Sequence, residues 1–539
     1  MQSNRDSSLF HFILMNIVKE FYVAMSDGVK IYTFVQLPAE TGTFPIIFRR
    51  NPYVGKDIDM EALQKEDTHG YAFVTQHCRG CGRSEGDCIP YVNERPDGLD
   101  SLKWIRQQPF YQGEIYPVGG SYLTSVHYAY LDTHQPDIKG AVLGIQDPIR
   151  YNVTYRNGFM KCGLHGQWAV GMYKKNSIFK KNYVLDTFRT MPLLGVTRSI
   201  FGEYAEALEA YMEHPLPDDP FWQTLEGGAD SHNAVSTLNI PTLFYSSFYD
   251  IYTEGIFDMW ETIPATVRPK CALLVTPYNH NPNPDKFSPV VFPNGGLNEN
   301  FGSDFIFQWL DHVRTGAPLR TIPEGKTTYY TLWENKWHAV DSLKEGQKEH
   351  VLYLNDHTLD TAPQATAAIS YTYNPYAPAS FKGGLCNNFG GMAEQDKPNS
   401  RYDITSFLSA PFEAPCKVEG RMKATLHVKS SCPDTCFYIR TSIVKNNIAY
   451  GLRDDITSIN FQHPHYNPND IVELEFTLGH HSFLFEPGDR LRLDVSSSAY
   501  PLFHPHTNRK GLQAAQTGAD IAVNTILSGA SNIRFFETV

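Results

Sequence analysis

One serine of the sequence lies in a glycine-rich segment that suits a nucleophile. Two glycines immediately precede Ser121, a strand-like run ends at Val118, and residues 123–132 have the spacing of a helix. A serine held in a tight turn between a strand and a helix exposes its hydroxyl, and the helix N-terminus faces the oxyanion that forms on attack. Leu123 replaces the last glycine of the usual pattern, which leaves an ordinary turn as the alternative. The segment predicts Ser121 as the nucleophile of an acyl transfer.

A carboxylate and a histidine follow at positions that could activate this serine. A serine hydroxyl becomes nucleophilic when a histidine takes its proton and a carboxylate orients that histidine. Asp250 follows the strand-like run 241–246, and His280 follows the run 271–276. Both lie just beyond the carboxyl end of a strand, in the order serine, acid, histidine that α/β-hydrolases use. A solvated aspartate and a surface histidine are the alternative, since the chain has 20 histidines.

The first part of the chain has the pattern of an α/β fold. Short apolar runs alternate with turn residues and helical stretches, which indicates strands joined through helices in a mixed or parallel sheet. This arrangement would bring the three side chains to one edge of the sheet. The predicted strands are 44–49, 71–75, 115–118, 241–246 and 271–276, and the predicted helices are 99–107, 123–132, 201–212 and 303–314.

The pattern changes twice along the chain. Residues 150–235 are aromatic, basic and rich in methionine, which suggests a helical lid inserted in the core. Beyond about residue 345, period-two runs such as 422–428 and 490–495 predict an all-β sandwich or jelly roll of the galactose-binding-like type. The predicted division is an N-terminal extension (1–16), an α/β-hydrolase core in two parts (17–149 and 237–340), a helical lid or cap (150–236) and a C-terminal jelly-roll domain (341–539).

Composition limits the classes of partner. The 539 residues carry a formal net charge of -12, which argues against a nucleic-acid-binding protein. The sequence has no apolar run of the roughly 18 residues that a membrane span needs, so no membrane association is expected. Nine cysteines without the density of a disulfide scaffold fit a reduced cytoplasmic protein. The expected partner is a small-molecule ester or a short peptide, and homo-oligomerisation is left open.

Two kinds of residue could suggest a metal, and neither completes a ligand set. The cysteines 78, 81 and 88, and likewise 432 and 436, lack a matching second pair at zinc-site spacing. Three histidine pairs, at 463 and 465, 480 and 481, and 504 and 506, lie in the β region and are expected to be solvated loop residues. No metal and no cofactor are therefore expected.

Several segments together resemble one enzyme family. The resemblance, from about Val23 to Asn508, is to the CocE/NonD hydrolases, which include the bacterial cocaine-esterase-like enzymes and are related to the X-Pro dipeptidyl-peptidases. The segments that carry it are 25–30 (MSDGVK), 50–56 (RNPYVGK), 79–86 (RGCGRSEG), 119–122 (GGSY), 249–250 (YD), 277–280 (PYNH) and 485–493 (FEPGDRLRL).

The resemblance implies roles for particular residues. Ser121, Asp250 and His280 would form the triad, and the backbone N–H of Tyr122 and the hydroxyl of Tyr53 would bind the oxyanion. Trp168 and Tyr173 of the lid are candidates for the substrate pocket. The chain departs from the family at positions that leave the triad intact but affect the shape of the pocket, namely His77, Thr124, Thr276 and Tyr278. Arg79 is expected to pin a loop instead of binding substrate.

The function predicted from these observations is ester hydrolysis through an acyl-enzyme. An X-Pro dipeptidyl-peptidase is the alternative within the class, but it must bind a free amine with carboxylates, and residues 150–182 contain few of them. The same scarcity argues against an amino-acid ester hydrolase. A catalytically silent protein that binds carbohydrate or a partner through the jelly-roll domain is the alternative from another class.

Overall fold

The chain forms two large sheets in a computed structural model. The structure describes residues 16–55, 57–173, 186–225, 229–285, 288–385 and 390–539, so the predicted extension of residues 1–16 lies outside the described residues except for Asn16. Within the described part, one sheet has ten strands and ends at residue 340, and the other has eleven and begins at residue 348.

The first sheet has the mixed, mainly parallel topology of an α/β-hydrolase core. Its strand order is β1-β2-β4-β3-β5-β6-β9-β10-β11-β12, and the inner neighbours from β4 to β11 pair in parallel. β7 and β8 form a separate hairpin. The strands are β1 (Ile17–Ala24), β2 (Lys30–Leu37), β3 (Phe44–Asn51), β4 (Ala72–His77), β5 (Tyr111–Gly120), β6 (Ala141–Gly144), β7 (Tyr155–Arg156), β8 (Phe159–Met160), β9 (Thr242–Ser247), β10 (Ala272–Thr276), β11 (Thr327–Thr331) and β12 (Lys336–Val340).

Helices connect and cover these strands. The predicted helix 201–212 is wrong as a single element, because Gly202 adopts φ 75° and ends one helix before the next begins at Glu206. The helices are α1 (Met60–Lys65), α2 (Glu94–Ile105), α3 (Tyr122–Leu131), α4 (Arg150–Thr154), α5 (Gln167–Met172), α6 (Val196–Phe201), α7 (Glu206–Glu213), α8 (Phe221–Thr224), α9 (Ala229–Ser236), α10 (Thr253–Thr262), α11 (Leu297–Phe301), α12 (Phe305–Thr315) and α13 (Ile459–Gln462).

The segment between β6 and β9, predicted as a lid, consists of short helices and the β7–β8 hairpin. The hairpin turns through Asn157 and Gly158, both with positive φ, as two-residue turns of this kind require. The amide of Asn157 donates to the backbone carbonyl of Ile456, and Arg156 pairs with Asp455 at 2.6 Å. The hairpin is thus held against the second sheet.

The second sheet confirms the all-β character expected of the C-terminal region. Its order is β15-β22-β17-β23-β13-β14-β16-β21-β18-β19, with β20 paired to β17. Side chains of its long strands alternate between the apolar core and partly exposed positions. The strands are β13 (Lys348–Leu354), β14 (Thr358–Asp360), β15 (Ala368–Tyr373), β16 (Thr405–Ser409), β17 (Cys416–Ser430), β18 (Cys436–Lys445), β19 (Ile448–Ser458), β20 (Val472–Phe485), β21 (Arg490–Ser496), β22 (Ala522–Leu527) and β23 (Asn532–Glu537).

The expectation of solvated histidines is wrong for two of the three pairs. His480 and His481 lie in β20, and together with His504 and His506 they are buried. The His481 ring stacks on Phe248 of the first sheet region with centroids 5.0 Å apart. These rings are buried because they carry contacts between the two parts of the chain, which local polarity of the sequence does not reveal.

Cysteines of the described chain are free and buried. Cys78, Cys81 and Cys88 share an apolar cluster with Val126 and Met172, close to the glycine-rich turn. Among the described residues, no helix has both the length and the apolar character needed to cross a membrane.

Candidate active site

Ser121 occupies a strained turn between β5 and α3. Its backbone has φ 59° and ψ -128°, a region that non-glycine residues rarely adopt. A Cβ on Gly119 would lie 2.3 Å from the carbonyl oxygen of Leu123, and one on Gly120 would lie 2.6 Å from the hydroxyl of Tyr245. Gly119 is therefore required for the helix to start immediately after the serine, and a side chain at position 120 would displace the Tyr245 hydroxyl.

Thr124, one of the departures from the family pattern, has a structural role in this turn. Its hydroxyl donates to the carbonyl of Gly144 at 3.0 Å and accepts from the Gly144 N–H at 3.1 Å. The Ser121 N–H donates to the same carbonyl at 3.0 Å. Glycine at position 124 could make neither side-chain bond, so threonine fastens the turn to the end of β6.

His280 connects Ser121 to a buried carboxylate. Its Nε2 lies 2.9 Å from Ser121 Oγ, and its Nδ1 lies 3.1 Å from Asp250 Oδ1. Asp250 is fully buried and also accepts from the backbone N–H of Tyr252 at 3.2 Å. A carboxylate at Nδ1 favours the tautomer whose proton is on Nδ1, which leaves the Nε2 lone pair free to accept from the serine.

The loops after β9 and β10 are bound to each other, which fixes the acid relative to the histidine. The Phe248 N–H donates to the Thr276 carbonyl at 2.8 Å, and the Tyr249 N–H donates to the Tyr278 carbonyl at 2.9 Å. The predicted strands 241–246 and 271–276 correspond to β9 and β10, which pair in parallel. Asp250 and His280 therefore meet because neighbouring parallel strands end at the same edge.

A second layer behind Asp250 comes from the β region, and sequence reasoning missed it. Buried Arg453 donates to the carbonyl of Phe248 and to that of His480. Glu254, four residues beyond Asp250, accepts from the His480 backbone N–H at 2.7 Å. The loop that carries Asp250 is thus held by residues about two hundred positions away, and no local signal identifies them.

Tyr53 reaches the nucleophile from the loop after β3. Its hydroxyl accepts from the indole N–H of Trp168 at 3.1 Å, and the residue lines the same cavity as Ser121. The residue as a whole is 50% exposed, but its hydroxyl lies in the cavity, where burial raises its pKa to about 12. The phenol therefore stays protonated at neutral pH and can donate a hydrogen bond.

Tyr122 is fixed by a buried polar network. Its hydroxyl donates to Glu94 Oε1 at 2.7 Å, and Arg50 pairs with the same carboxylate at 2.7 Å. Because Tyr122 is the first residue of α3, its backbone N–H is among those without an acceptor inside the helix. The network holds that N–H beside Ser121.

Arg79 forms ion pairs with Asp27 and Asp97, as expected of a residue that holds a loop in place.

The residues around Ser121 line a cavity of about 250 Å³. Trp168 lines it, as the sequence predicts, whereas Tyr173 packs against Phe201 in an apolar cluster of the segment between β6 and β9. Two lining rings were not anticipated, those of Tyr91 and Tyr252. The described lining residues are Tyr53, Tyr91, Ser121, Tyr122, Trp168, Tyr252 and His280.

This arrangement can perform acyl transfer. A hydroxyl, an imidazole and a carboxylate lie in line, and hydrogen-bond donors face the same space. The aromatic lining would exclude water from a bound carbonyl and strengthen the electrostatic interactions around it.

Comparisons with known proteins agree with this geometry. The family model of the X-Pro dipeptidyl-peptidase (S15 family) matches residues 27–282, and that of the X-Pro dipeptidyl-peptidase C-terminal non-catalytic domain matches residues 323–534. The cocaine esterase of Rhodococcus sp. (strain MB1 Bresler) is 23% identical, over 95% of this chain and 96% of that enzyme. The chain is a serine hydrolase, and it is similar to the cocaine-esterase-like enzymes of the CocE/NonD type. The alternative of a catalytically silent binding protein is thereby set aside.

Solved structures share the fold of this serine hydrolase across both sheets. An aminopeptidase from a marine sediment Thaumarchaeota archaeon has a TM-score of 0.82 and 19% identity, covering 100% of this chain and 99% of that one. An α-amino acid ester hydrolase has a TM-score of 0.81 and 18% identity, covering 97% and 96%. At these identities the likeness establishes the architecture of core plus β domain.

Proposed function

We propose that this serine hydrolase is a carboxylic ester hydrolase of the CocE/NonD type that works through an acyl-enzyme on Ser121. His280 takes the proton of the Ser121 hydroxyl as Oγ attacks the ester carbonyl, and Asp250 stabilises the imidazolium that forms. His280 then gives its proton to the leaving alcohol. Water, deprotonated by His280, attacks the acyl-enzyme and releases the acid. The observation that carries the proposal is the 2.9 Å contact between Ser121 Oγ and His280 Nε2.

The oxyanion is assigned two donors in this proposal. The hydroxyl of Tyr53 and the backbone N–H of Tyr122 flank Ser121, one from the loop after β3 and the other from the start of α3. Trp168 is a positioning residue, because its indole N–H donates to the Tyr53 oxygen. The phenolic proton of Tyr53 then points away from the indole and toward the reacting oxygen. Charge that develops on the carbonyl oxygen strengthens both donated bonds in the transition state.

Replacing Tyr53 with phenylalanine tests this assignment. We expect Tyr53→Phe to lower kcat for p-nitrophenyl acetate by about 10²-fold or more with little change in KM, because one oxyanion donor is lost. The ratio of wild-type to variant kcat should stay constant over the neutral and alkaline range, since burial raises the pKa of Tyr53 to about 12 and donation ends only as pH rises through that value.

The control for this variant is Tyr402→Phe, which removes a hydroxyl from a side chain that is 65% exposed in the β region. Its kinetics should equal those of the wild type. An unchanged kcat in Tyr53→Phe, measured on protein with the wild-type thermal midpoint, would exclude the Tyr53 hydroxyl from the oxyanion site.

An apolar acyl group suits the cavity better than a charged peptide N-terminus. Tyr91, Trp168 and Tyr252 present ring surfaces to the space beside Ser121. Among the described lining residues none is acidic, so a free α-ammonium would find hydroxyls and ring faces there instead of carboxylates. Transfer of an aromatic or branched acyl group into such a lining is favoured by about 25 cal/mol for each Å² of apolar surface buried.

A substrate panel separates the two readings within the class. We expect kcat/KM for p-nitrophenyl benzoate or butyrate to exceed that for Ala-Pro p-nitroanilide by at least about 10³-fold. The reason is that the α-ammonium of the peptide leaves water on binding and meets no carboxylate among the described lining residues. The N-acetylated Ala-Pro anilide is the matched control, since it has no free amine to recognise. A preference for the free dipeptide over its acetylated form would support the peptidase instead.

The X-Pro dipeptidyl-peptidase remains the second candidate because the S15 family model matches the part of the chain that contains Ser121, Asp250 and His280. An enzyme of that kind would need a carboxylate brought to the cavity from elsewhere in the chain. The cytoplasm is the compartment proposed for the protein, on the ground that the described cysteines are buried free thiols.

A further inference from the structure

Three neighbouring strands of the β domain place polar side chains on one face of the second sheet. β23 lies between β13 and β17 and pairs antiparallel with both. Glu537 of β23 is directly opposite Lys348 on one side and Val418 on the other. Residues that are directly opposite, and residues two positions along a strand, point to the same face of a sheet. His350, Cys416 and Glu537 therefore share one face across three adjacent strands.

The polar atoms of these three side chains converge. Nε2 of His350 lies 2.7 Å from Oε2 of Glu537, and the potential ligand atoms of all three residues lie within 4.8 Å of one another. Bonds of about 2.0–2.3 Å in a tetrahedral zinc site put neighbouring ligand atoms roughly 3.3–3.6 Å apart, so small side-chain movements suffice. Among the residues that the structure describes, no other group of three His, Cys, Asp or Glu side chains converges in this way.

The imidazole of this group is held in place by an aromatic contact. The His350 ring stacks on the ring of Phe535, with centroids 4.8 Å apart and 5° between the two planes. Phe535 is buried in β23, two residues before Glu537. The stack therefore fixes the imidazole with Nε2 toward Glu537, and a ligand that is already oriented loses little conformational entropy when it binds an ion.

The kinds of donor in this group select the ion. A cysteine sulfur, an imidazole nitrogen and a carboxylate oxygen are the donors that zinc takes in proteins, whereas Ca²⁺ and Mg²⁺ take oxygen ligands. Three protein ligands leave the fourth position of a tetrahedron to water. Cys416 would lose its proton to solvent as the bond from Sγ to the metal forms. The thiolate and the carboxylate of Glu537 then balance the two charges of the ion.

One cation competes with a metal for this position. Nζ of Lys348 lies 2.9 Å from Oε2 of Glu537, and the lysine side chain is 58% exposed. An exposed ion pair contributes little to stability, so Lys348 can withdraw into water when a divalent ion binds. His350 and Glu537 are only partly buried, which lets an ion reach the three ligands from the surface.

We propose that His350, Cys416 and Glu537 form a zinc site on the β domain, with water as the fourth ligand. The site is separate from the active site, because none of the three is among the described residues that line the cavity at Ser121. The ion would join β13, β17 and β23 and raise the thermal midpoint by binding the folded chain. The expectation of no metal rested on groups that are close together in the sequence, whereas these residues lie on strands far apart in it.

Cobalt substitution tests the proposal on the full-length, reduced protein. A cysteine ligand gives bound Co²⁺ a thiolate-to-metal charge-transfer band. We expect the wild type to bind one Co²⁺ with this band, and Zn²⁺ to displace it. Cys416→Val keeps an apolar side chain at the buried position and should abolish the band. Glu537→Gln keeps the shape of the carboxylate and should weaken binding at least about tenfold.

Thermal midpoints measured with and without zinc give a second readout. His427→Gln is the matched control for His350→Gln, because His427 pairs with Glu473 at 3.2 Å across β17 and β20 without a third ligand among the described residues. Zinc should raise the midpoint of the wild type and of His427→Gln, but not that of His350→Gln. Lys348→Met removes the competing cation and should tighten zinc binding by up to about fivefold.

Two results would overturn the proposal. One is a charge-transfer band that survives in Cys416→Val, which would place the metal on another cysteine. The other is a wild type whose thermal midpoint zinc leaves unchanged. Because both readouts report metal binding, they do not depend on the function proposed for Ser121.

Discussion

Ser121→Ala should lower kcat for p-nitrophenyl acetate by about 10⁴-fold or more, to the residual rate of an oxyanion site without a nucleophile. The reason is geometric, because Ser121 Oγ is the hydroxyl that lies 2.9 Å from His280 Nε2 and opens into the aromatic cavity. KM should change little, since the cavity walls are untouched. The measurement is steady-state ester hydrolysis, combined with loss of covalent labelling by a fluorophosphonate probe.

Ser370→Ala is the matched control, because it removes a serine hydroxyl from an exposed strand position of the β domain. That variant should keep wild-type kinetics and should still be labelled. Ester hydrolysis that survives Ser121→Ala at the wild-type rate, in freshly purified protein, would assign the activity to another residue. The substitution should leave the backbone strain in place, since alanine carries the same Cβ and meets the same steric limits at φ 59°.

The positions of the three central residues could be predicted because they depend on short-range patterns. Ser121 follows β5 directly, and the runs that predict β9 and β10 end within a few residues of Asp250 and His280. Parallel strands then bring their carboxyl ends to one edge without further information. The α/β class, and the change to β structure after the core, follow from hydrophobic periodicity in the same way.

The remainder of the site depends on contacts between distant segments, which periodicity does not encode. Tyr91 and Tyr252 line the cavity because loops from different strands converge there. Arg453 and His480 reach the loop of Asp250 from the second sheet. The family resemblance assigns the Tyr53 hydroxyl to the oxyanion site, but it does not indicate that the Trp168 indole orients this hydroxyl.

The break in the helix predicted at 201–212 has a different origin. Amphipathic spacing continues across the segment, but Gly202 takes up a left-handed conformation that ends α6. The carboxylate of Glu209 then turns back to accept from the backbone of Gly195 and Thr197, and so satisfies the first turn of α6. Hydrophobic periodicity locates the apolar faces of the two helices, but it does not locate the turn between them.

Asp250→Asn should lower kcat by about 10⁴-fold while leaving the fold intact. The carboxylate is fully buried and lies 3.1 Å from His280 Nδ1, so it selects the tautomer in which Nε2 accepts the serine proton. An asparagine amide is the same size but can place an N–H toward Nδ1. That arrangement favours the proton on Nε2, where it blocks the transfer from Ser121, and it removes the charge that stabilises the imidazolium.

The matched control is Asp258→Asn, an exposed carboxylate in α10 that pairs with Arg421. Its effect on kcat should be small, because an exposed ion pair contributes about 1 kcal/mol or less. Loss of activity in Asp250→Asn could also arise if the loop moved, and the thermal midpoint and the fluorophosphonate reaction separate the two causes. A well-folded Asp250→Asn with wild-type kcat would mean that His280 is oriented by its neighbours alone. In that case Asp250 would have a structural role and would not be a member of the triad. The His280 ring would then be oriented by its edge-on contact with the Tyr252 ring, with the two centroids 5.6 Å apart.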